Sequence, residues 1–197
     1  EQRAKALVRL IEGYGRRAAL IEAPERLGEG EFEDIESAHD VTLVTARVGD
    51  SFEYRFALRH ADRFLIFARQ DARPPRPFPL SPTEDSPARK FRLVDMAMLH
   101  EGVKSGSVVD WVDAVDAHRI FHVSGARTTE RLARALAGCS VGLVMSGGGA
   151  RAYAHIGAVK AMRERRVPID FIGGASMGAV IAACVAMGWD DEEIEAR

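Results

Sequence analysis

The spacing of apolar residues along the first 70 positions alternates between helical and strand-like patterns. Ala4, Leu7 and Ile11 recur at intervals of three and four, which predicts a helix over residues 3–12. Runs rich in β-branched and aromatic residues predict strands, and a stretch rich in Glu and Gly predicts a loop. The further elements predicted here are a strand at 18–23, a loop at 22–34, a strand at 39–48, a helix at 51–62 with Ser51 as its N-cap, and a strand at 63–70.

The last three of these elements form a strand–helix–strand unit of about 30 residues. Parallel strands joined by a helix usually belong to one sheet, so we expect the strands at 39–48 and 63–70 to share a parallel sheet. A proline-rich loop is predicted at 73–87, because six of the eight prolines fall between Pro74 and Pro87.

The second half of the chain continues the alternation of strands and helices. The pattern predicts a strand at 91–100, a helix at 108–123, and a helix at 130–138 that ends at Gly138. From residue 141 onward the predicted order is strand, glycine loop, helix, strand, serine turn and helix. This βαβα order indicates that the whole chain is α/β.

Composition and charge narrow the function classes without naming one. The 47% of apolar residues is enough for a globular protein with a real core. The net charge of −2 gives no global attraction to nucleic acid, so no nucleic-acid partner is expected. Cys139 and Cys184 have no metal-site or disulfide spacing, and the first residues lack the apolar run of a signal peptide. We therefore expect a reducing, cytoplasmic location.

The uncharged stretch from 171 to 189 has nearly the length of a membrane-spanning helix. It contains several glycines, however, and Pro168 and Asp170 stand immediately before it. A buried strand, a tight turn and a helix of small residues explain this composition better than a membrane span.

A run of three glycines stands between a predicted strand and a predicted helix: Gly147, Gly148 and Gly149. Glycines at such a place let the backbone approach a ligand closely, and the helix start adds unpaired N–H donors. One candidate is a dinucleotide site, since the run with Ala152 fits G-x-G-x-x-G/A. That fingerprint also needs an acid at the end of the next strand, which here ends in glycine. A Walker loop is excluded because no Gly-Lys-Ser/Thr follows.

The other candidate is an oxyanion hole, and the turn around Ser176 favours it. Gly174, Ser176 and Gly178 match G-x-S-x-G between an apolar strand and an apolar helix, which is the context of a nucleophile elbow. The serine hydroxyl would be exposed on a strained turn, and the helix behind it would offer N–H groups to a developing oxyanion. The alternative interpretation is that both glycine clusters only form tight turns.

Two other sets of polar residues fall on the predicted helix at 108–123. His118 and His122 are four residues apart but lack the Glu of a zinc-binding H-E-x-x-H. Asp110, Asp113 and Asp116 lack the glycine and glutamate of a calcium loop. We expect a solvated helix face and no metal site.

The segments SGGGARAYAHIG (146–157) and GGASMG (173–178) resemble the patatin-like phospholipases, especially the bacterial proteins related to neuropathy target esterase. The resemblance extends over 141–189. Two departures are Ala152, where the family usually has glycine, and Ser146, where Asp or Gly is common. The change at Ala152 adds only a methyl group.

The resemblance implies a serine hydrolase that cleaves phospholipid or lysophospholipid acyl esters with a Ser–Asp dyad and no cofactor. Ser176 would be the nucleophile, and N–H groups of the glycine loop and of Met177 would hold the oxyanion. In the family the aspartate lies in a downstream D-G-G or D-G-A motif, which these 197 residues do not contain. We therefore expect the base to lie beyond this chain, and the chain alone to be inactive.

Two more side chains near the glycine loop are candidates for secondary roles. Arg151 could meet a phosphate head group, or it could be a solvated loop arginine. His155 lies in the helix after the loop and is expected to pack or cap rather than act as a base, since the dyad family uses no histidine. The acids Asp170, Asp190 and Asp191 are too far along their elements to reach Ser176.

The resemblance also suggests a division into two domains. Residues 1–130 are similar to the Rossmann-like segment that precedes the catalytic domain in the branch related to neuropathy target esterase, and 131–197 would begin that domain. In that branch cyclic-nucleotide-binding domains often lie further upstream, and this chain contains none. A peripheral contact with a membrane is expected from the substrate. The alternative function is a regulatory or scaffold module that keeps the glycine loop as an anion or nucleotide site without turnover.

Overall fold

The computed structural model describes residues 2–75, 78, 93–100 and 108–196, and the chain divides into two compact units, 1–138 and 139–197. All strand pairings in the described residues are parallel, and helices alternate with strands in both units, which confirms the α/β class. The predicted domain boundary after residue 130 falls within a helix of the first unit and stays a prediction. Most of the predicted proline-rich loop (73–87) lies outside the described residues.

The described part of the first unit contains two parallel sheets, five α-helices and a 3-10 turn (Pro24–Arg26). Its elements are α1 (Gln2–Gly13), β1 (Ala18–Ile21), α2 (Glu31–Ala38), β2 (Val41–Val44), α3 (Phe52–His60), β3 (Arg63–Arg69), β4 (Leu93–Leu99), α4 (Val108–Val115), β5 (Arg119–Val123) and α5 (Ala126–Leu136). The predicted N-cap of α3 is confirmed, since the Ser51 hydroxyl accepts the Tyr54 N–H at 3.2 Å.

The predicted partnership of the strands at 39–48 and 63–70 is wrong. β2 pairs with β1, whereas β3 belongs to a separate sheet of order β3-β4-β5. The Asp40 carboxylate accepts the Arg17 backbone N–H at 2.9 Å, and the Arg17 carbonyl accepts the Asp40 N–H at 2.9 Å. These contacts hold the starts of β1 and β2 together, and β2 therefore pairs with β1 and not with β3.

Two predicted elements of the first unit also differ from the structure. The predicted loop at 22–34 contains the start of α2, which follows Gly30 in a left-handed conformation (φ 80°) and buries Phe32 against the ring of Phe56. The predicted helix at 108–123 ends at Val115, because Asp116 takes φ 51° and the chain continues as β5. His118 and His122 therefore do not share a helix face.

The core of the β3-β4-β5 sheet is apolar except for one buried carboxylate. Met96 and Met98 of β4 pack with Trp111 of α4, whose indole N–H donates to the Ala72 carbonyl at 2.7 Å. Asp95 is only 1% exposed, and its carboxylate accepts two hydrogen bonds from the Arg119 guanidinium at 2.6 and 2.8 Å. The carboxylate is buried without an energetic penalty for an unpaired charge because its partner lies on the adjacent strand.

The second unit has the predicted order of strand, glycine loop, helix, strand, serine turn and helix. Its elements are β6 (Gly142–Met145), a 3-10 turn (Gly149–Tyr153), α6 (Ala154–Glu164), β7 (Phe171–Gly174), α7 (Met177–Ala186) and α8 (Asp191–Glu195). β6 and β7 are parallel, so the glycine loop and the serine turn leave the same edge of the sheet. Among the described helices, none has the length and apolar character needed to cross a bilayer.

Candidate active site

The glycine loop follows β6 and lies directly against the serine turn. A Cβ added at Gly147 would lie 3.1 Å from the Ser176 Cβ and 3.3 Å from the Ala175 carbonyl oxygen. Gly149 adopts φ 55°, a left-handed conformation that a side chain would strain. The loop therefore needs glycine both for its approach to Ser176 and for its own backbone path.

Ser176 occupies a backbone conformation that few residues other than glycine adopt. Its φ is 51° and its ψ is −130°. It stands after β7 and directly before Met177, the first residue of α7. Such a conformation costs about 1–3 kcal/mol and persists only where the surroundings impose it. The Ala175 N–H, just before it, donates to the Met145 carbonyl at 3.0 Å, which ties the turn to β6. The serine is exposed, so its hydroxyl is accessible from solvent.

The two glycines that flank the serine are required by contacts between backbones. A Cβ added at Gly174 would lie 2.6 Å from the Gly178 carbonyl carbon and oxygen. A Cβ added at Gly178 would lie 2.3 Å from the Ser146 carbonyl oxygen and 2.6 Å from that of Met145. Both distances are shorter than real Cβ contacts, and the neighbouring atoms belong to the backbone. The G-x-S-x-G pattern is thus explained by packing of the turn on itself and on the glycine loop.

The first turn of α7 follows Ser176 immediately. Met177 is its first residue, and the first N–H groups of a helix have no partner within the helix. The aligned peptide dipoles place partial positive charge at the same end. A hydroxyl on a strained turn, a helix N-terminus and an adjacent glycine loop are the parts from which an acyl-transfer site could be built, with the hydroxyl as nucleophile and the N–H groups as donors to an oxyanion.

Arg151 lies in the 3-10 turn that follows the glycines, and its side chain is exposed. Its N–H donates to the Gly148 carbonyl at 3.2 Å, and its Cβ would lie 3.6 Å from a Cβ added at Gly148. The Arg151 side chain therefore starts next to the glycine loop, where a guanidinium could meet an anionic group.

His155, one turn further, makes a contact that sequence reasoning did not identify. Its Nε2 lies 3.0 Å from the Ser146 carbonyl oxygen. A carbonyl oxygen only accepts, so the His155 Nε2–H is the donor. The spacing places His155 near the loop, but the direction of the ring depends on the 3-10 turn between them, which the sequence pattern does not show.

Three acids of the second unit are engaged in holding the fold. Asp170 is 2% exposed and accepts the Val141 N–H at 2.9 Å, at the end of β7 opposite the serine. Asp190 caps α8 by accepting the Glu193 N–H at 2.8 Å, and Asp191 pairs with Arg163 at 3.1 Å.

Two histidines of the first unit, His100 and His122, lie together at one end of the three-stranded sheet. His100 contacts Gln70 Oε1 through Nδ1 and His122 Nδ1 through Nε2, each at 2.8 Å. Burial, then the neighbouring His100 and Arg131, lower the pKa of His122 below its usual value. Across the described residues, no group of three or more His, Cys, Asp or Glu side chains is placed to hold a metal ion.

The chain shows sequence similarity to known proteins. Residues 143–197 match the patatin-like phospholipase family. The chain is 39% identical over 110 residues to a patatin-like phospholipase domain-containing protein of Caenorhabditis elegans. This match covers 55% of this chain and 8% of that protein. It is 52% and 58% identical over 60 residues to lysophospholipases of Kluyveromyces lactis and Coccidioides immitis, covering 30% of this chain and 4% of each relative.

These relatives are much longer than the part that the chain matches. No solved structure shows significant similarity to the chain. The resemblance of 146–157 and 173–178 to the patatin-like phospholipases is confirmed by the family match, which contains both segments.

Proposed function

We propose, from the match of residues 143–197 to the patatin-like phospholipase family, that the protein carrying this chain is a serine hydrolase that cleaves acyl esters of phospholipids or lysophospholipids. The observation that carries the proposal is the strained, exposed Ser176 packed against Gly147. The relatives named lysophospholipases support the choice of substrate class.

In the proposed mechanism, the Ser176 oxygen attacks the ester carbonyl while a general base removes its proton. N–H groups of Gly147, Gly148, Gly149 and Met177 stabilise the oxyanion that forms. Collapse of this intermediate breaks the ester bond, releases the alcohol and leaves an acyl-serine. Water activated by the same base then hydrolyses the acyl-serine and releases the fatty acid.

We propose that the general base is an aspartate outside these residues, in the D-G-G or D-G-A motif that the family resemblance implies. No such motif occurs in the 197 residues. The engagement of Asp170, Asp190 and Asp191 in other contacts supports this assignment. The chain by itself is accordingly expected to be inactive.

We further propose that Arg151 contacts the phosphate of the substrate and that the enzyme meets its lipid at a membrane surface from the cytoplasm. The exposed guanidinium beside Gly148 supports the first point, since arginine matches the geometry of phosphate oxygens. Residues 1–130 would form a Rossmann-like module before a catalytic part that begins at residue 131.

The test uses the full-length protein that carries this chain. A fluorophosphonate probe should label it, and it should hydrolyse a short-chain p-nitrophenyl ester and release fatty acid from a lysophospholipid. Ser176→Ala should abolish labelling and lower hydrolysis by about 10³-fold or more, because the nucleophile is lost. Ser124→Ala, at an exposed serine of the first unit, is the matched control and should behave like the wild type.

Two results would contradict the proposal. Hydrolysis retained in Ser176→Ala would remove Ser176 from the mechanism. A folded full-length protein that neither reacts with the probe nor cleaves either substrate would favour the scaffold function.

A further inference from the structure

The carbonyl group of Ser146 is held from two sides. Its oxygen accepts the His155 Nε2–H at 3.0 Å. The same oxygen lies where a Cβ added at Gly178 would come within 2.3 Å of it. The Ser146 carbonyl is thus confined between the imidazole of α6 and the backbone of α7.

The direction of this carbonyl determines the direction of the next N–H. In a planar trans peptide the C=O of Ser146 and the N–H of Gly147 point in opposite directions. Gly147 lies against Ser176, so rotation of this peptide would turn the Gly147 N–H, which is one of the proposed oxyanion donors. The residues on the far side of the peptide are glycines, whose backbones adopt many conformations, and they oppose such a rotation only weakly.

We propose that His155 is a positioning residue for the glycine loop. Its Nε2–H fixes the Ser146 carbonyl and thereby fixes the direction of the N–H of Gly147, the residue that lies against Ser176. The inference rests on the proposed hydrolase function, because it assigns His155 a part in the stabilisation of that reaction's oxyanion.

This role differs from that of a general base in its chemistry. A base must have an unprotonated nitrogen aimed at the nucleophile, whereas here the Nε2–H is donated to a backbone carbonyl. Nε2 carries a proton both in the neutral tautomer that donates this bond and in the imidazolium. The His155 ring can therefore donate this hydrogen bond in either form.

The test compares three substitutions of His155 in the full-length protein. The amide nitrogen of glutamine can occupy about the place of Nε2, whereas the shorter asparagine reaches only about that of Nδ1. We expect His155→Gln to keep kcat within about threefold of the wild type. His155→Asn and His155→Ala should lower kcat by about tenfold to 10³-fold with KM unchanged, since the N–H donor acts mainly in the transition state.

Thermal unfolding and the pH profile of kcat separate this role from others. If His155→Gln loses as much activity as His155→Ala, the N–H donor at Nε2 is not what matters and the proposal is overturned; loss of an inflection from the pH profile of kcat in that variant would assign His155 as a base. If all three variants keep wild-type kcat and differ only in thermal stability, the residue is purely structural. These outcomes require an active wild type that Ser176→Ala inactivates, so they are distinct from failure of the proposed function.

Discussion

The contact between Gly178 and the glycine loop predicts a large effect for the smallest possible substitution. Gly178→Ala adds one methyl group in the first turn of α7. That methyl would lie 2.3 Å from the Ser146 carbonyl oxygen and 2.6 Å from the Met145 carbonyl oxygen, where ordinary contacts begin at 3.4 Å. The backbone carbonyls must therefore move by about 1 Å, because no flexible side chain is available to give way.

Two opposing contributions determine how much Gly178→Ala changes the free energy of unfolding. Overpacking of this kind lowers the free energy of unfolding by about 1–3 kcal/mol, and contact with two backbone carbonyls indicates the upper end. Replacing glycine by alanine within a helix returns about 0.5–1 kcal/mol. The net loss of stability should be about 2 kcal/mol. A misplacement of about 1 Å at the loop should also lower catalysis by about 10²-fold.

The assay combines urea unfolding with the rate of fluorophosphonate labelling of the full-length protein. Gly157→Ala is the matched control, since it lies within α6 and an added Cβ meets no atom within 4 Å. We expect that control to gain about 0.5–1 kcal/mol of stability and to be labelled at the wild-type rate. If Gly178→Ala has the stability and labelling rate of the wild type, the two turns are not in contact and the description of the site is wrong.

Two other predictions concern the first unit. Asp95→Ala should lower the free energy of unfolding by about 2 kcal/mol, because it removes the carboxylate that pairs with Arg119 and Arg63, whose side chains are 31% and 32% exposed and keep part of their hydration. The double variant with Arg119→Met should recover part of that loss in urea unfolding, and no recovery would show that the ion pair is not the cause. The lowered pKa of His122 means that the unfolded chain, with the ordinary value of 6.5, binds more protons on acidification than the folded one. Stability should therefore decrease as the pH falls from about 6.5 through the lowered folded value. His122→Gln should flatten this dependence below about pH 6.5, whereas an unchanged slope would assign it to other groups.

The second unit was predictable from sequence because local and long-range signals agree there. Apolar runs, glycines and the G-x-S-x-G pattern all mark the same strand–turn–helix boundaries, and both turns leave the same edge of the β6–β7 pair. The sequence could not show that Gly178 meets the Ser146 carbonyl, since that contact depends on the packing of two elements. The direction of the His155 ring depends on the same packing.

The errors in the first unit have local causes. The spacing of the aspartates continues the helical period through Asp116, and the sequence therefore predicts a helix beyond that point. In the structure Asp116 adopts φ 51°, and α4 ends just before it. Gly28 and Gly30 led to the prediction of a loop where α2 starts. In the structure Gly30 is the N-cap of that helix. The pairing of β2 with β1 depends on contacts between Arg17 and Asp40, and the period of apolar residues says nothing about such contacts.

The close contact between Gly178 and the Ser146 carbonyl has a consequence for redesign of this site. A replacement for the glycine loop would need a backbone carbonyl at the position of the Ser146 carbonyl, where the absence of a side chain at Gly178 leaves room. A replacement for the serine turn would need a glycine at the position of Gly178. The two turns cannot be exchanged one at a time. The smallest segment that could be transplanted into another parallel sheet runs from the start of β6 through α7, with both strands and both turns as a single module.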